Sequence, residues 1–251
     1  MTIPKIQKKY FYLIQAFSGI SLVLFISMTG HADFSGSVTA TTDYIWRGYS
    51  KSDRKPALQA NIDYEFKSGI YLGAFVSTVN FNDDEFRNPS RIEFKPYAGF
   101  AYALSDDWRF NIEWTRYIFN GRIFGRTVDY NEFYLYGHFR DLLTVNFGFS
   151  ENGYQQNHIS FNSEVSGRYP IAEAIELSGT FGYSRQAKVL NYDDFVYLNL
   201  GLVWYASRNL GLDLRYYKGE YLGKEKEIPS GWQFHPRVVH NSVVFSITIG
   251  F

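Results

Sequence analysis

From residue 33 onward the chain alternates apolar and polar positions with period two, the signature of strands with two different faces. Over 57–66, Leu58, Ala60, Ile62, Tyr64 and Phe66 alternate with Gln59, Asn61, Asp63 and Glu65. Over 92–104, Ile92, Phe94, Pro96, Ala98, Phe100, Tyr102 and Leu104 stand opposite Glu93, Lys95, Tyr97 and small residues. Leu210, Leu212, Leu214 and Tyr216 alternate with Gly211, Asp213 and Arg215, and the chain ends on Val243, Phe245, Ile247, Ile249 and Phe251. The pattern predicts twelve strands, near 34–47, 57–66, 70–81, 91–104, 108–119, 130–140, 143–150, 158–169, 175–185, 195–206, 210–218 and 238–251. Most are longer than the five or six residues usual in soluble sheets. They match instead the ~9–11 residues of a tilted strand crossing a bilayer.

The connections alternate too. Short turns are expected at Lys67-Ser68-Gly69, Ser105-Asp106-Asp107, Arg140-Asp141-Leu142, 171–174 and Ser207-Arg208-Asn209. Longer polar loops are expected at 48–56, 82–90, 120–129, 151–157, 186–194 and 219–237. Five short and six long connections, long first and last, imply an all-β, antiparallel up-and-down transmembrane barrel with both termini on the short-turn side. Twelve strands enclose more space than apolar side chains can fill, which points the charged face inward and the greasy face to lipid. A closed barrel also leaves no backbone amide unpaired in hydrocarbon. Tyr64, Trp108, Trp204 and Tyr216 fall near strand ends on the apolar set, where interfacial girdles belong. Arg116 shares that outward set and is expected at the outer rim, because a midplane arginine costs roughly 2–4 kcal/mol.

Composition sharpens this picture. Residues 1–32 read as a cleaved signal peptide: Lys5, Lys8 and Lys9, an apolar centre over 13–28, and the small-residue site Gly30-His31-Ala32. The remaining 33–251 form the outer-membrane barrel. Removing three lysines leaves 22 basic against 25 acidic residues, so nothing favours nucleic acid as a partner. The 0 cysteines exclude disulfides and thiol chemistry. With 21 Tyr and 23 Phe, the chain is rich in side chains suited to wet–dry boundaries.

The predicted lumen carries Asp43, Asp63, Glu65, Glu93, Glu113, Glu132, Glu164, Glu176 and Asp213 against Arg47, Lys95, Arg109, Arg168 and Arg215, with His138 among them. Nine acids against five bases imply a mild preference for cations or neutral polar solutes. Two alternatives stay open: a water-filled passage for small polar solutes, or a lumen closed by charges that pair across it. In the first strand, parity puts Trp46 against lipid and Arg47 at the channel mouth, with Gln59 as its cross-hairpin partner. Gly48 then permits a turn, and Ser50 and Asp53 lie in the mouth loop.

The segment D-Y-x-x-R-G-x-S-x-S-D-x-x-P-A-x-Q, carried by Asp43, Tyr44, Arg47, Gly48, Ser50, Ser52, Asp53, Pro56, Ala57 and Gln59, resembles the start of the Gcw_chp family, also called TorF-family porins. The resemblance implies a proteobacterial outer-membrane barrel with an unestablished transport role, and supplies no substrate, cofactor or catalytic residue. The terminal Phe251 resembles the signal read by the barrel-assembly machinery. Outer-membrane lipid and lipopolysaccharide are the expected surroundings.

Enzymatic readings are weaker. His158-Ile159-Ser160 resembles part of an outer-membrane phospholipase motif, but Phe161-Asn162 departs from it and parity turns Ser160 away from lipid. His138, His235 and His240 form no metal-ligand spacing. The 219–237 loop, with Lys224-Glu225-Lys226-Glu227 and Trp232-Gln233-Phe234, is expected either to fold inward or to offer a binding surface.

Overall fold

A computed structural model describes residues 33–155, 159–186, 194–223 and 238–251. The expected signal peptide, His158, His235 and most of the 219–237 loop lie outside the described residues. The barrel strands are β1 (Asp33–Thr41), β4 (Ala57–Glu65), β5 (Ile70–Thr78), β6 (Ile92–Ala103), β7 (Trp108–Phe119) and β8 (Tyr130–Phe139) in the first half. β9 (Leu143–Ser150), β10 (Ser160–Ala172), β11 (Ile175–Gln186), β12 (Phe195–Tyr205), β13 (Leu210–Tyr221) and β14 (Ser242–Gly250) complete it. Each is antiparallel to its neighbours, and β1 pairs with both β4 and β14, closing a twelve-stranded barrel. Two short strands, β2 (Ile45–Trp46) and β3 (Tyr49–Ser50), form a separate two-stranded hairpin.

The faces divide as alternation requires. Phe34, Leu58, Ile62, Ile112, Phe133, Leu200, Leu214 and Val243 are exposed on the outside, while the intervening Asp63, Glu93, Glu132 and Asp213 are buried inside. Tyr64, Trp108, Trp204 and Tyr216 are also exposed outward. Arg116 pairs with Asn131 on the outward face near the outer end of β7. The chain ends are stitched at the inner rim: Gly36 and Phe251 exchange two backbone hydrogen bonds, each 3.0 Å. A Cβ on Gly36 would stand 2.7 Å from the Phe251 ring, so the glycine leaves room for the terminal aromatic.

Several boundaries shift. β1 stops at Thr41 rather than residue 47, β5 stops at Thr78, and β14 starts at Ser242. β10 runs inward to Ala172, so the 171–174 turn shrinks to Glu173-Ala174. The change at β1 matters most, because it releases residues 42–56 from the wall.

Candidate functional site in the barrel lumen

After its last ladder bond, Thr42 N to Phe245 O at 2.9 Å, the chain turns into the lumen. Trp46 pairs with Tyr49 across a two-residue turn made by Arg47 and Gly48, whose φ angles are 47° and 78°. Two successive left-handed residues are what a type I′ hairpin demands. Gly48 meets that demand without a Cβ; one placed there would stand 2.6 Å from Tyr197 Cβ. Asp43 ties the base of the hairpin. Its Oδ1 accepts hydrogen bonds from Ser50 Oγ at 2.5 Å and Ser52 Oγ at 2.8 Å. Ser52 Oγ in turn accepts from Tyr44 N at 2.9 Å. Burial pushes the Asp43 carboxyl above the usual carboxylate range, and the two serine hydroxyls oppose that shift.

Two buried ion pairs fasten this hairpin to the wall. Lys51 Nζ lies 2.5 Å from Glu93 Oε1, with both side chains fully buried. Tyr44 OH donates to the other Glu93 oxygen at 2.9 Å, so the carboxylate is satisfied on both sides. Across the barrel, Arg47 Nη1 lies 2.8 Å from Glu132 Oε1 and Arg47 Nη2 donates to Tyr134 OH at 3.2 Å. Aromatic rings fill the space between. Trp46 meets Tyr117 edge-on at 6.1 Å, and Tyr117 stacks on Tyr130 at 4.3 Å. Lys95 Nζ sits 4.4 Å from the Trp46 ring centroid and 4.0 Å from that of Phe75. A desolvated cation over an aromatic face gains about 2 kcal/mol or more.

Two expectations fail here. Trp46 does not face lipid; it is 2% exposed in the centre of the lumen. Arg47 does not meet Gln59, whose Nε2 points instead to Ser77 Oγ at 3.4 Å. Both errors have one cause. Parity assigns faces only while a chain remains in the sheet, and this chain leaves after Thr41.

The outer half of the lumen therefore gathers Asp43, Arg47, Ser50, Glu93, Lys95 and Glu132. Asp53 stays in the partly exposed turn beside Lys55, 3.5 Å away. Arg109, His138, Arg168 and Asp213 belong to the inner half, with Glu113 and Arg215 near the middle. Glu113 accepts from Tyr71 OH at 3.0 Å and Thr115 Oγ1 at 2.9 Å. Arg215 bonds Asp213 at 2.8 Å, Asn199 at 2.6 Å and Ser178 at 2.7 Å. His138 Nδ1 meets Thr144 Oγ1 at 3.0 Å, Arg109 donates to Asn111 at 3.2 Å, and Arg168 donates to the Asp141 backbone carbonyl. These inner groups line a wall without converging on one point.

Lys51 and Tyr134 belong to the outer cluster and were missed in the sequence; Tyr44 and Ser52 stood out only as motif residues, and Trp46 was assigned to lipid. The available signal was Arg47-Gly48 between two aromatic-bearing dipeptides, a two-residue turn inside an apparent strand. Ser160 is buried inward between outward Ile159 and Phe161, an orientation unsuited to attack on lipid. Among the described residues no group of three or more His, Asp or Glu is placed to hold a metal.

The fold has counterparts among solved structures. The KdgM porin superposes with a TM-score of 0.53 at 9% identity, covering 86% of this chain and 98% of that one. The NanC porin gives 0.54 at 9% identity with the same coverages. The COG4313 outer membrane channel from Pseudomonas putida F1 gives 0.51 at 8% identity, covering 89% and 96%. At such identities the likeness is one of architecture. No curated protein matches in sequence. The model of a bacterial family described as of unknown function, Gcw_chp, matches residues 27–248, and the chain belongs to that family.

Proposed function

We propose that this protein is a porin-like channel of the Gram-negative outer membrane, passing small hydrophilic solutes or ions by diffusion, with the 43–52 hairpin as its constriction. In this reading residues 1–32 direct export. The barrel-assembly machinery folds the chain using Phe251, and lipid and lipopolysaccharide surround the apolar exterior. The observation that carries the proposal is the hairpin itself, inserted into the lumen and fastened by Lys51–Glu93 and Arg47–Glu132 in addition to the aromatic cluster around Trp46. With Lys51 counted, nine lumen acids face six bases, which disfavours polyanions. The KdgM porin has a structure in complex with disordered oligogalacturonate; the acidic excess here argues for different cargo.

The same hairpin also supports a second reading, a barrel permanently closed and serving a structural or adhesive role. Planar-bilayer recording separates them. Wild-type protein should show small, cation-preferring steps, and a variant with residues 45–50 replaced by a Gly-Gly link should show several-fold larger ones. Silence from both, with folding verified by heat-dependent migration in gels, rejects the channel and leaves the closed barrel.

A further inference from the structure

Buried polar side-chain atoms without hydrogen-bond partners are rare in folded proteins, because each costs about 1–3 kcal/mol. Here five of them fall on three consecutive strands: Tyr136 OH and His138 Nε2 on β8, Asn146 Oδ1 and Ser150 Oγ on β9, and Asn162 Oδ1 on β10. Registration makes them one patch. Tyr136 pairs with Asn146, and Gly148 lies between Tyr134 and Asn162. Outside these strands such atoms are scattered, with Asp43 Oδ2 and Arg47 Nε in the hairpin, and other lumen carboxylates are well matched. Asp63 accepts from Asn61 at 2.8 Å and from Tyr97, and Asp213 is held by Arg215.

The hairpin tip rests on this patch. Arg47 Nη2 lies 2.9 Å and Glu132 Oε1 2.8 Å from where a Gly148 Cβ would stand. Unpaired groups therefore stand where movement of the constriction would uncover wall. Their chemistry is uniform: amide carbonyls, hydroxyls and an imidazole, carrying both donors and acceptors. Neutral carbonyl oxygens alone would also suit a cation, but a set that mixes carbonyl acceptors with hydroxyl donors matches hydroxyls, which also donate and accept.

Resting on the channel reading above, we infer that the β8–β10 wall is a solute-contacting site for neutral polyhydroxylated molecules. Tyr136, Asn146 and Asn162 supply its hydrogen bonds, and Glu164 is the adjoining charge. Asn146 Nδ2 already donates to Glu164 at 2.7 Å, which fixes the amide so that its oxygen is the free acceptor.

The test uses Tyr136→Phe and Asn162→Leu, near-isosteric changes that remove only polar atoms, each in the full-length protein reconstituted in liposomes. Swelling in glucose and sucrose should slow about fivefold, the effect of losing one hydrogen bond of ordinary strength. Potassium chloride conductance should stay unchanged, and both variants should resist unfolding at least as well as the parent. Unaltered sugar swelling, or an equal fall in sugar and salt flux, overturns the assignment while leaving the channel intact. Impermeability of wild type and the hairpin-shortened variant to every solute overturns the channel reading first, and this inference with it.

Discussion

The outer and inner halves of the lumen are made from the same strands, yet they solve the problem of an oversized interior differently. Toward the outside, Lys51, Glu93, Glu132 and Asp83 are almost completely buried, and Trp46, Tyr117 and Tyr130 exclude water. Toward the short turns, Ser35, Ser37, Glu65, Arg109, Thr144 and Arg168 remain only half-buried, although Asp213 and His138 are as closed off as the outer groups. What separates the halves is what enters the outer one: residues 42–56, joined by Val79, Phe81, Ile123, Val128 and Val238 from other long connections. Residues 42–56 bring their own aromatic rings and two cations into the outer half, and those cations neutralise wall acids that would otherwise stand unpaired in a dry interior. A lumen charge is thus not one kind of object. At the inner rim it can stay half-exposed, as Glu65, Arg109 and Arg168 do; in the outer half it is mortar.

Breaking the outer half at its driest pair gives the largest expected effect. Glu93→Gln strips the fully buried Lys51 ammonium, and Lys95 beside it, of their nearest counter-charge, which costs about 3–5 kcal/mol when one partner of a buried pair is removed. Guanidinium unfolding in detergent micelles should register that loss. Adding Lys51→Met to Glu93→Gln should recover most of it, since removing both charges eliminates the desolvation penalty as well as the attraction. A double variant no more stable than the single would show that the pair is not the fastening.

Next in size is the hairpin turn. Gly48→Ala puts a Cβ at φ 78° and against Tyr197, 2.6 Å away. The strain is about 1–3 kcal/mol. If the hairpin yields before the barrel does, the variant should show larger or more frequent conductance steps while its barrel still migrates as folded. Unfolding of the whole barrel without any change in conductance would mean the tip is not a separately movable part.

These two sites also mark what was legible in the sequence. The twelve strands, their faces and the alternation of turns could be read because each strand repeats one rule, apolar out and polar in, about four to six times along its length. Glu93, Lys95, Glu113, Glu132 and Asp213 were found inside for that reason. The hairpin could not be read the same way. Between Thr41 and Arg47 no glycine or proline marks the exit, and parity continued through Tyr44, Ile45, Trp46 and Arg47 as if the wall did. Only long-range partners, Glu93 at 42 residues from Lys51 and Glu132 at 85 from Arg47, decide that this stretch turns inward. The Asp43–Ser50–Ser52 knot was visible as a motif, but its meaning depended on knowing that the strand had already ended.

The smallest effect is expected where geometry matches the outer pair and burial does not. Arg140 Nε approaches Asp107 Oδ1 to 2.8 Å on the inner rim, the same separation as Arg47 from Glu132. Yet the Arg140 and Asp107 side chains are 51% and 46% exposed, against 7% and 1% for the lumen pair. Water solvates both partners of the rim pair before and after it forms, and salt screens what attraction remains. Arg140→Ala should therefore leave the unfolding midpoint unchanged within error, whereas Arg47→Ala strands Glu132 beneath a ring of tyrosines and should lower it clearly. Measured side by side at low and high salt, equal losses from the two variants would mean that distance, not burial, governs these pairs. The distinction between mortar and solvated charge would then fail.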